Sequence, residues 1–190
     1  TKGIFNMIIL ASNSPRRKEL LRLITDDFRV EPARVEETVE SDIPLFEYPK
    51  YLARKKANHV FQDGHSNDIV IGCDTGVFAD NMMLGKPKDS DDARRMLKML
   101  SGKIHKVITG CCIISKKKEV AFSQISEVEF YPLANSEIEN YINTGEPYDK
   151  AGSYGIQGKG ALLVKQICGD YFNIVGLPVA LLNRRLSEFC

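Results

Sequence analysis

Residues 68–84, DIVIGCDTGVFADNMML, begin as an apolar run and end as a hairpin. Ile69, Val70 and Ile71 follow one another with no polar residue between them, which reads as a strand buried on both faces. Asp80 and Asn81 then separate two apolar segments. They read as the turn of the hairpin. A buried strand with an antiparallel partner, in a chain that also carries helices, predicts a mixed α/β sheet with flanking helices rather than a purely parallel one.

Upstream, MIIL at 7–10 reads as a second buried strand and leads into a helix from Pro15 to about residue 24. Ser14 is its expected N-cap, and Pro15 stands at the first helical position, where a missing N–H costs nothing. FRVEPARVEE at 28–37 is extended and broken by Pro32. A longer helix is expected from 44 to 62, with Ala53, Ala57, Val60 and Phe61 on one face. Residues 1–6 read as an expression remnant.

Downstream, SDDARRMLKMLSGK at 90–103 predicts a helix capped by Ser90, with Ala93, Met96, Leu97 and Leu100 as its apolar stripe and Gly102 as its stop. KVITGCCIIS and EVAFSQISEVEFYP predict two long strands joined by a turn at Lys116–Lys118, and a helix follows at about 136–143. The stretch AGSYGIQGKG at 151–160 interrupts this regularity. After it come ALLVKQI, a Gly169-Asp170 turn, YFNIV and a last helix opened by Pro178. The whole is expected to be a single domain over 1–190.

The chain of 190 residues is 43% hydrophobic and 27% charged, a soluble globular composition, with a formal net charge of +1. No global basic field therefore argues for a nucleic acid or an anionic membrane, and no aromatic-basic platform is present. Five cysteines show neither Cys-x-x-Cys nor zinc-ligand spacing, so reduced and mostly buried thiols are expected, as in a reducing cytosol. No segment has the length needed to cross a bilayer. The three histidines have no nucleophile motif beside them, which disfavours a Ser-His-Asp hydrolase.

Four stretches carry candidate chemistry. LASNSPRRKELL at 10–21 sets Arg16 and Arg17 at a strand-to-helix turn. Outward backbone N–H groups and guanidinium forks there suit phosphate oxygens, although the P-loop pattern is absent. GCDT at 72–75 puts Asp74 on the buried strand, where spacing alone leaves open a metal ligand, a general base and an aspartate capping the hairpin. Gly72 beside it suggests a backbone that a ligand could approach. EE at 36–37 offers a carboxylate able to share Mg²⁺ with Asp74, and strand register leaves Glu36 and Glu37 both open. Lys55 and Lys56 in LARKKA at 52–57, and Lys86 in LGKP at 84–87, could face a polyphosphate or merely solvent. YGIQGKG at 154–160 reads as a backbone closely approaching something, or as a mobile loop. There Gln157 could read a base edge, because an amide both donates and accepts.

Together LASNSPRRKELL, ARVEE, YLARKKA, GCDT, LGKP, LSGKIHKVITG, YDKAGSYGIQGKG and NIVGLPVALL resemble, in order, the blocks of the Maf family of nucleoside triphosphate pyrophosphatases, from about residue 8 to residue 186. The resemblance implies an elongated mixed α/β fold shared with inosine triphosphate pyrophosphatases, with the active site in a cleft. It implies hydrolysis of a nucleoside triphosphate to the monophosphate and pyrophosphate with a divalent metal, Mg²⁺ or Mn²⁺. A cytoplasmic location and a homodimer are implied too.

Asp74 matches the family's proton acceptor. Ser12, Arg16, Arg17 and Glu37 match polar residues of the phosphate and metal site, and Lys56 and Lys86 match its two lysines. On this reading Asp74, Arg17, Lys56 and Lys86 are catalytic, and Glu37 and Asp74 hold the metal. Ser12, Arg16, Thr75 and Gln157 bind substrate. Arg16, Thr75 and Gln157 also match the positions that mark the branch acting on dTTP and UTP, where the branch acting on 7-methyl-GTP carries tryptophan, glutamine and glutamate. Cys73 and Gly76 depart from the family pattern, which has alanine and a β-branched residue there. House-cleaning of modified pyrimidine nucleotides is one role such an enzyme could serve. The competing expectation is a nucleotide-binding regulator of septum formation without significant turnover.

Overall fold

The computed structural model describes residues 7–38 and 42–189. The supposed expression remnant at 1–6 lies outside the described residues. The regular elements are β1 (Ile8–Leu10), α1 (Pro15–Leu21), β2 (Phe28–Val30), α2 (Tyr48–Gln62), β3 (Ile69–Ala79), β4 (Met82–Leu84), α3 (Ser90–Leu100), β5 (Ile104–Ile114), β6 (Glu119–Phe130), α4 (Asn135–Ile142), β7 (Val164–Cys168), α5 (Tyr171–Val175) and α6 (Val179–Leu186). The sheet order is β2-β1-β3-β5-β6-β7, with β4 paired to β3. β1 runs parallel to both β2 and β3, while β4 is antiparallel to β3 and β7 antiparallel to β6. The sheet is mixed, as the hairpin at 68–84 predicts.

Local chemistry explains the element ends, with small corrections. Asp80 and Asn81 adopt φ of 49° and 58°, the left-handed pair of a two-residue hairpin turn. α1 stops at Leu21 rather than near 24. The next amides, Leu23 and Ile24, bond three residues back to Leu20 and Leu21, a 3₁₀ tightening of the last turn. α2 is preceded by a 3₁₀ turn at Leu45–Glu47 instead of beginning at 44. The N-cap of α3 is Asp89, not Ser90. Asp89 is extended at φ −157°, and its carboxylate accepts the Asp92 N–H at 2.8 Å.

The chain divides into two compact units. The first comprises the chain up to Asp74, Thr109–Gln124 and the stretch from Gly176 onward; the second comprises Thr75–Ile108 and Ile125–Val175.

In the first unit, Ile9, Ala11, Ala53, Ala57, Val60, Val70, Cys112 and Ile114 pack into one buried cluster. α2 presses onto its strands at two glycines. A Cβ at Gly72 would lie 2.2 Å from the Ala53 carbonyl oxygen and 2.8 Å from the Ala57 nitrogen. At Gly110 it would lie 2.2 Å from the Lys50 nitrogen. Backbone therefore meets backbone, and any side chain at either position would displace the helix.

The core of the second unit joins Val77, Leu84 and Val107 to the stripe of α3 (Ala93, Met96, Leu97, Leu100), to Phe130 and Tyr154, and to Ile138, Tyr141 and Ile142 of α4. The ring of Phe78 folds back over Gly76, where a Cβ would stand 2.8 Å from it. The glycine that departs from the family pattern thus makes room for an aromatic ring two residues on. His105 is buried in this unit. Its Nε2 lies 2.7 Å from the Tyr154 hydroxyl, and its ring meets Phe130 and Tyr154 edge to face. Burial drives its pKa down to about 4.

Among the described residues no helix is long and apolar enough to cross a membrane. Cys73, Cys111 and Cys112 are free and buried, and Cys168 is free and exposed.

Candidate active site

In the first unit the close seating of α2 has a chemical result. Gly72 and Asp74 are two residues apart on β3 and so share a face of the strand. The helix that lies against Gly72 carries Lys56 over that same face. The Lys56 ammonium donates to Asp74 Oδ1 at 2.6 Å and pairs with Glu37 Oε1 at 2.8 Å. Lys56 and Asp74 side chains are 11% and 10% exposed, whereas Glu37 is 64% exposed. One ammonium therefore joins a buried carboxylate to an accessible one. Of the two adjacent glutamates, Glu37 makes this contact; the carbonyl oxygen of Glu36 instead accepts from Lys55 at 2.9 Å.

Asp74 titrates above the ordinary carboxylate range. Burial is the main cause and the Glu37 charge adds to it, opposed by the charges of Lys56 and Arg17 and by the Lys56 hydrogen bond. A carboxylate moved toward neutrality is a better proton acceptor than an exposed one. Cys73 belongs to the opposite face of β3, with its sulfur 3.6 Å from that of Cys111. Burial pushes the Cys111 thiol up, as expected of inert core cysteines.

The strand-to-helix turn after β1 supplies the cationic side of this unit. Ser12 is buried. Its Oγ accepts from the Ser14 N–H at 3.3 Å and from Arg17 Nη1 at 3.2 Å. Arg17 Nε donates to the Gly176 carbonyl at 2.9 Å. Two positions of the guanidinium fork are thus fixed by the protein, which holds the plane of the cation before any ligand arrives. Ser14 caps α1 as expected, accepting the Arg17 N–H over a long 3.5 Å. Arg16 is half-buried on the same turn. The grip of Gly176 on Arg17 spans 159 positions, and nothing in the sequence around either residue signals it.

The two carboxylates also bear on a metal. Among the described residues no group of three or more His, Cys, Asp or Glu is placed to hold one. Glu37 and Asp74 nevertheless both reach the Lys56 nitrogen. Two hard oxygen donors suit a Mg²⁺-like cation whose remaining ligands are water and substrate phosphate. The donor set fits such an ion.

The remaining sequence candidates, Thr75, Lys86 and Gln157, belong to the second unit. Thr75 follows Asp74 on β3 and is half-buried, while Lys86 and Gln157 are exposed. Within this unit the segments bearing Lys86 and Gln157 are tied together, since Gly152 N–H donates to the Gly85 carbonyl at 3.0 Å. The glycine-rich stretch forms 3₁₀ turns at Ala151–Ser153 and Gly158–Leu163.

Two glycine expectations change meaning. Gly72 admits a helix backbone rather than a ligand. In the 155–160 stretch the close approach is internal, because a Cβ at Gly160 would sit 2.0 Å from the Gly155 oxygen. Sequence reasoning also missed Glu146, whose carboxylate accepts the amides of Lys159 and Gly160 at 3.1 and 3.3 Å. The acid heading EPYDK, just ahead of the glycines, was the only signal available.

The chain has relatives among known proteins. The family described as Maf-like protein matches residues 7–189. A dTTP/UTP pyrophosphatase of Bacillus cytotoxicus is 51% identical over 181 residues, covering 95% of this chain and 94% of that protein. A dTTP/UTP pyrophosphatase of Bacillus pumilus is 48% identical over 184 residues, 97% of each. Among solved structures, the Staphylococcus aureus Ham1 protein aligns with a TM-score of 0.55 at 15% identity over 96% of this chain and 99% of that one, a likeness of fold alone.

Proposed function

The chain belongs to the Maf family, and on that premise we propose that it hydrolyses nucleoside triphosphates, preferring dTTP and UTP, to the monophosphate and pyrophosphate. The observation that carries this reading is the Glu37–Lys56–Asp74 group: a buried carboxylate with a raised pKa, bound to a largely shielded ammonium that also reaches a solvent-facing acid. A pure nucleotide binder gains nothing from gathering carboxylates beside a polyanion unless a metal is present. Catalysis does, because the attacking water must lose a proton. The relatives that bear the name dTTP/UTP pyrophosphatase support the same reading over a septum regulator without turnover.

Hydrolysis at the α-phosphorus asks for neutralisation of roughly four negative charges and in-line placement of a water. In the proposed division of labour, Arg17 and Arg16 grip phosphate oxygens, with Ser12 holding the Arg17 fork in place. Lys56 and Lys86 add cationic charge. Asp74 accepts the proton of the attacking water, and the Lys56 charge opposes the effect of burial on it. Glu37 and Asp74 are the carboxylates that would hold a divalent cation, which supplies charge neutralisation on the phosphates when bound. Arg16, Thr75 and Gln157 select the base, since a site that pairs a base's donors and acceptors rejects one that leaves them unmatched.

The test is pyrophosphate release from dTTP, UTP, CTP, GTP and 7-methyl-GTP, each with and without magnesium. The expected result is metal-dependent release, fastest from dTTP and UTP. Fastest release from 7-methyl-GTP would overturn the pyrimidine preference. No release from any of them would overturn hydrolysis and favour the regulator.

A further inference from the structure

The base-selecting stretch is held at both ends by side chains to which the reaction gives no role. At its start, the Gly155 N–H donates to the Tyr141 hydroxyl at 3.1 Å, and Tyr141 is buried. At its end, the two oxygens of Glu146 each take one amide, Lys159 N–H at 3.1 Å and Gly160 N–H at 3.3 Å. Gly158 passes between them at φ +67°, where a Cβ would stand 2.9 Å from the same carboxylate. Glu146 is itself fixed. Its N–H donates to Thr144 Oγ1 at 3.1 Å, and its carbonyl oxygen accepts from Lys150 Nζ at 2.6 Å. Ser153, just upstream, is fully buried in a left-handed conformation at φ 62°, with its hydroxyl 3.0 Å from the sulfur of Met96. Between the two pins, Gln157 stands exposed.

Such anchoring matters for an amide that must choose between two pyrimidines. Uracil and thymine present an acceptor oxygen at position 4 and a donor N–H at position 3. Cytosine presents the reverse, a donor amine and an acceptor nitrogen. A glutamine carboxamide matches either base, because turning its end by half a revolution exchanges donor and acceptor. Chemistry alone therefore does not let Gln157 prefer uracil over cytosine, whereas a fixed backbone that limits its orientation can.

We propose that Glu146 is a positioning residue for base choice, holding the 158–160 backbone so that Gln157 reads uracil or thymine rather than cytosine. This rests on the pyrimidine triphosphate reading of the substrate. Glu146→Gln keeps one acceptor but turns an amide N–H toward a backbone N–H, which opens one of the two pins and loosens the adjacent one. Glu146→Asp keeps both acceptors on a shorter stem.

The experiment measures kcat/KM for UTP and CTP on the full chain, together with hydrogen exchange at the Lys159 and Gly160 amides. The unaltered protein is expected to favour UTP. Glu146→Gln is expected to lower the UTP:CTP ratio at least tenfold, mainly by raising CTP turnover, with faster exchange at both amides. Glu146→Asp is expected to restore part of the ratio. In a Gln157→Ala background Glu146→Gln is expected to change the ratio no further, as two residues acting through one contact require. A UTP:CTP ratio unchanged in Glu146→Gln while those amides exchange faster would overturn the proposal. If that variant does not fold, an unchanged ratio in Glu146→Asp, whose shorter stem also loosens the pins, overturns it. Equal turnover of UTP and CTP by the unaltered protein overturns it too, while leaving hydrolysis intact. Absence of any pyrimidine hydrolysis would instead overturn the underlying reading.

Discussion

Lys56 Nζ sits 2.6 Å from Asp74 Oδ1, and the elements that carry the two residues meet main chain to main chain at Gly72. The ion pair is therefore set by how closely a helix can lie on a strand. The ammonium offsets part of the burial that raises the Asp74 pKa, and so governs when that carboxylate can take a proton.

Asp74→Asn separates catalysis from stability. A positioned general base contributes on the order of 10²–10⁴-fold, so pyrophosphate release should fall by at least about a hundredfold. Because the native carboxyl titrates above its ordinary value, its ionised form disfavours folding. That cost is absent below the unfolded pKa and complete once pH has risen past the folded one. Thermal denaturation at neutral pH should therefore show a Tm at or above that of the unaltered chain. A folded variant with full turnover would remove Asp74 from the mechanism.

Lys56→Met should move the acid limb of the pH profile. Without the ammonium, burial and the Glu37 charge act on Asp74 with less opposition, so ionisation requires a higher pH. The rising limb of kcat/KM against pH is expected to shift upward. Arg17→Gln should shift it in the same direction but less, since the Arg17 charge acts on Asp74 more weakly than that of Lys56. An unmoved limb in Lys56→Met would mean that another group sets it.

Gly72→Ala tests the seating of α2. The new methyl would stand 2.2 Å from a carbonyl oxygen, an overpacking that typically costs about 1–3 kcal/mol. For a chain of this size that corresponds to a fall in Tm of several degrees, at roughly 2–4 °C per kcal/mol. Turnover should drop as well, because the helix that retreats carries Lys56. Unchanged melting and turnover would show that the helix and strand can part without consequence.

The second unit carries its own pH dependence. His105 has a native pKa of about 4 against 6.5 for the ordinary group, so the unfolded chain binds this proton first as pH falls. The stability that neutral His105 contributes is complete above about 6.5, declines as pH drops, and is gone below about 4. It amounts to up to roughly 3 kcal/mol. Denaturant midpoints measured across that interval should fall more steeply in the unaltered chain than in His105→Phe. Parallel curves would exclude His105 as a source of the acid sensitivity.

Much of the fold is written locally. The strand at 69–79 and the α3 stripe of Ala93, Met96, Leu97 and Leu100 follow from apolar periodicity, and the Asp80-Asn81 turn follows from residue type. Where two capping residues stand side by side, as Asp89 and Ser90 do, composition cannot choose, and the extended φ of Asp89 decides. The candidate site was legible as a set of residue types, not as a geometry. Lys56 and Asp74 are 18 positions apart, and only the packing of α2 on β3 brings them within a hydrogen bond. Gly72 was visible, but its neighbour was not, because close approach by a helix and close approach by a ligand leave the same mark in a sequence. Glu146 left almost none, since its partners are backbone amides and any residue can supply those.

The two glycines under α2 also bear on how this protein can change over generations. Most core contacts tolerate a slow exchange of side-chain volumes, with one residue growing as its neighbour shrinks. Gly72 and Gly110 meet main chain, which has no volume to give back, so no compensating substitution is available. Drift is channelled elsewhere, and the ammonium and its carboxylate inherit an alignment that the surrounding hydrophobic residues are free to vary around.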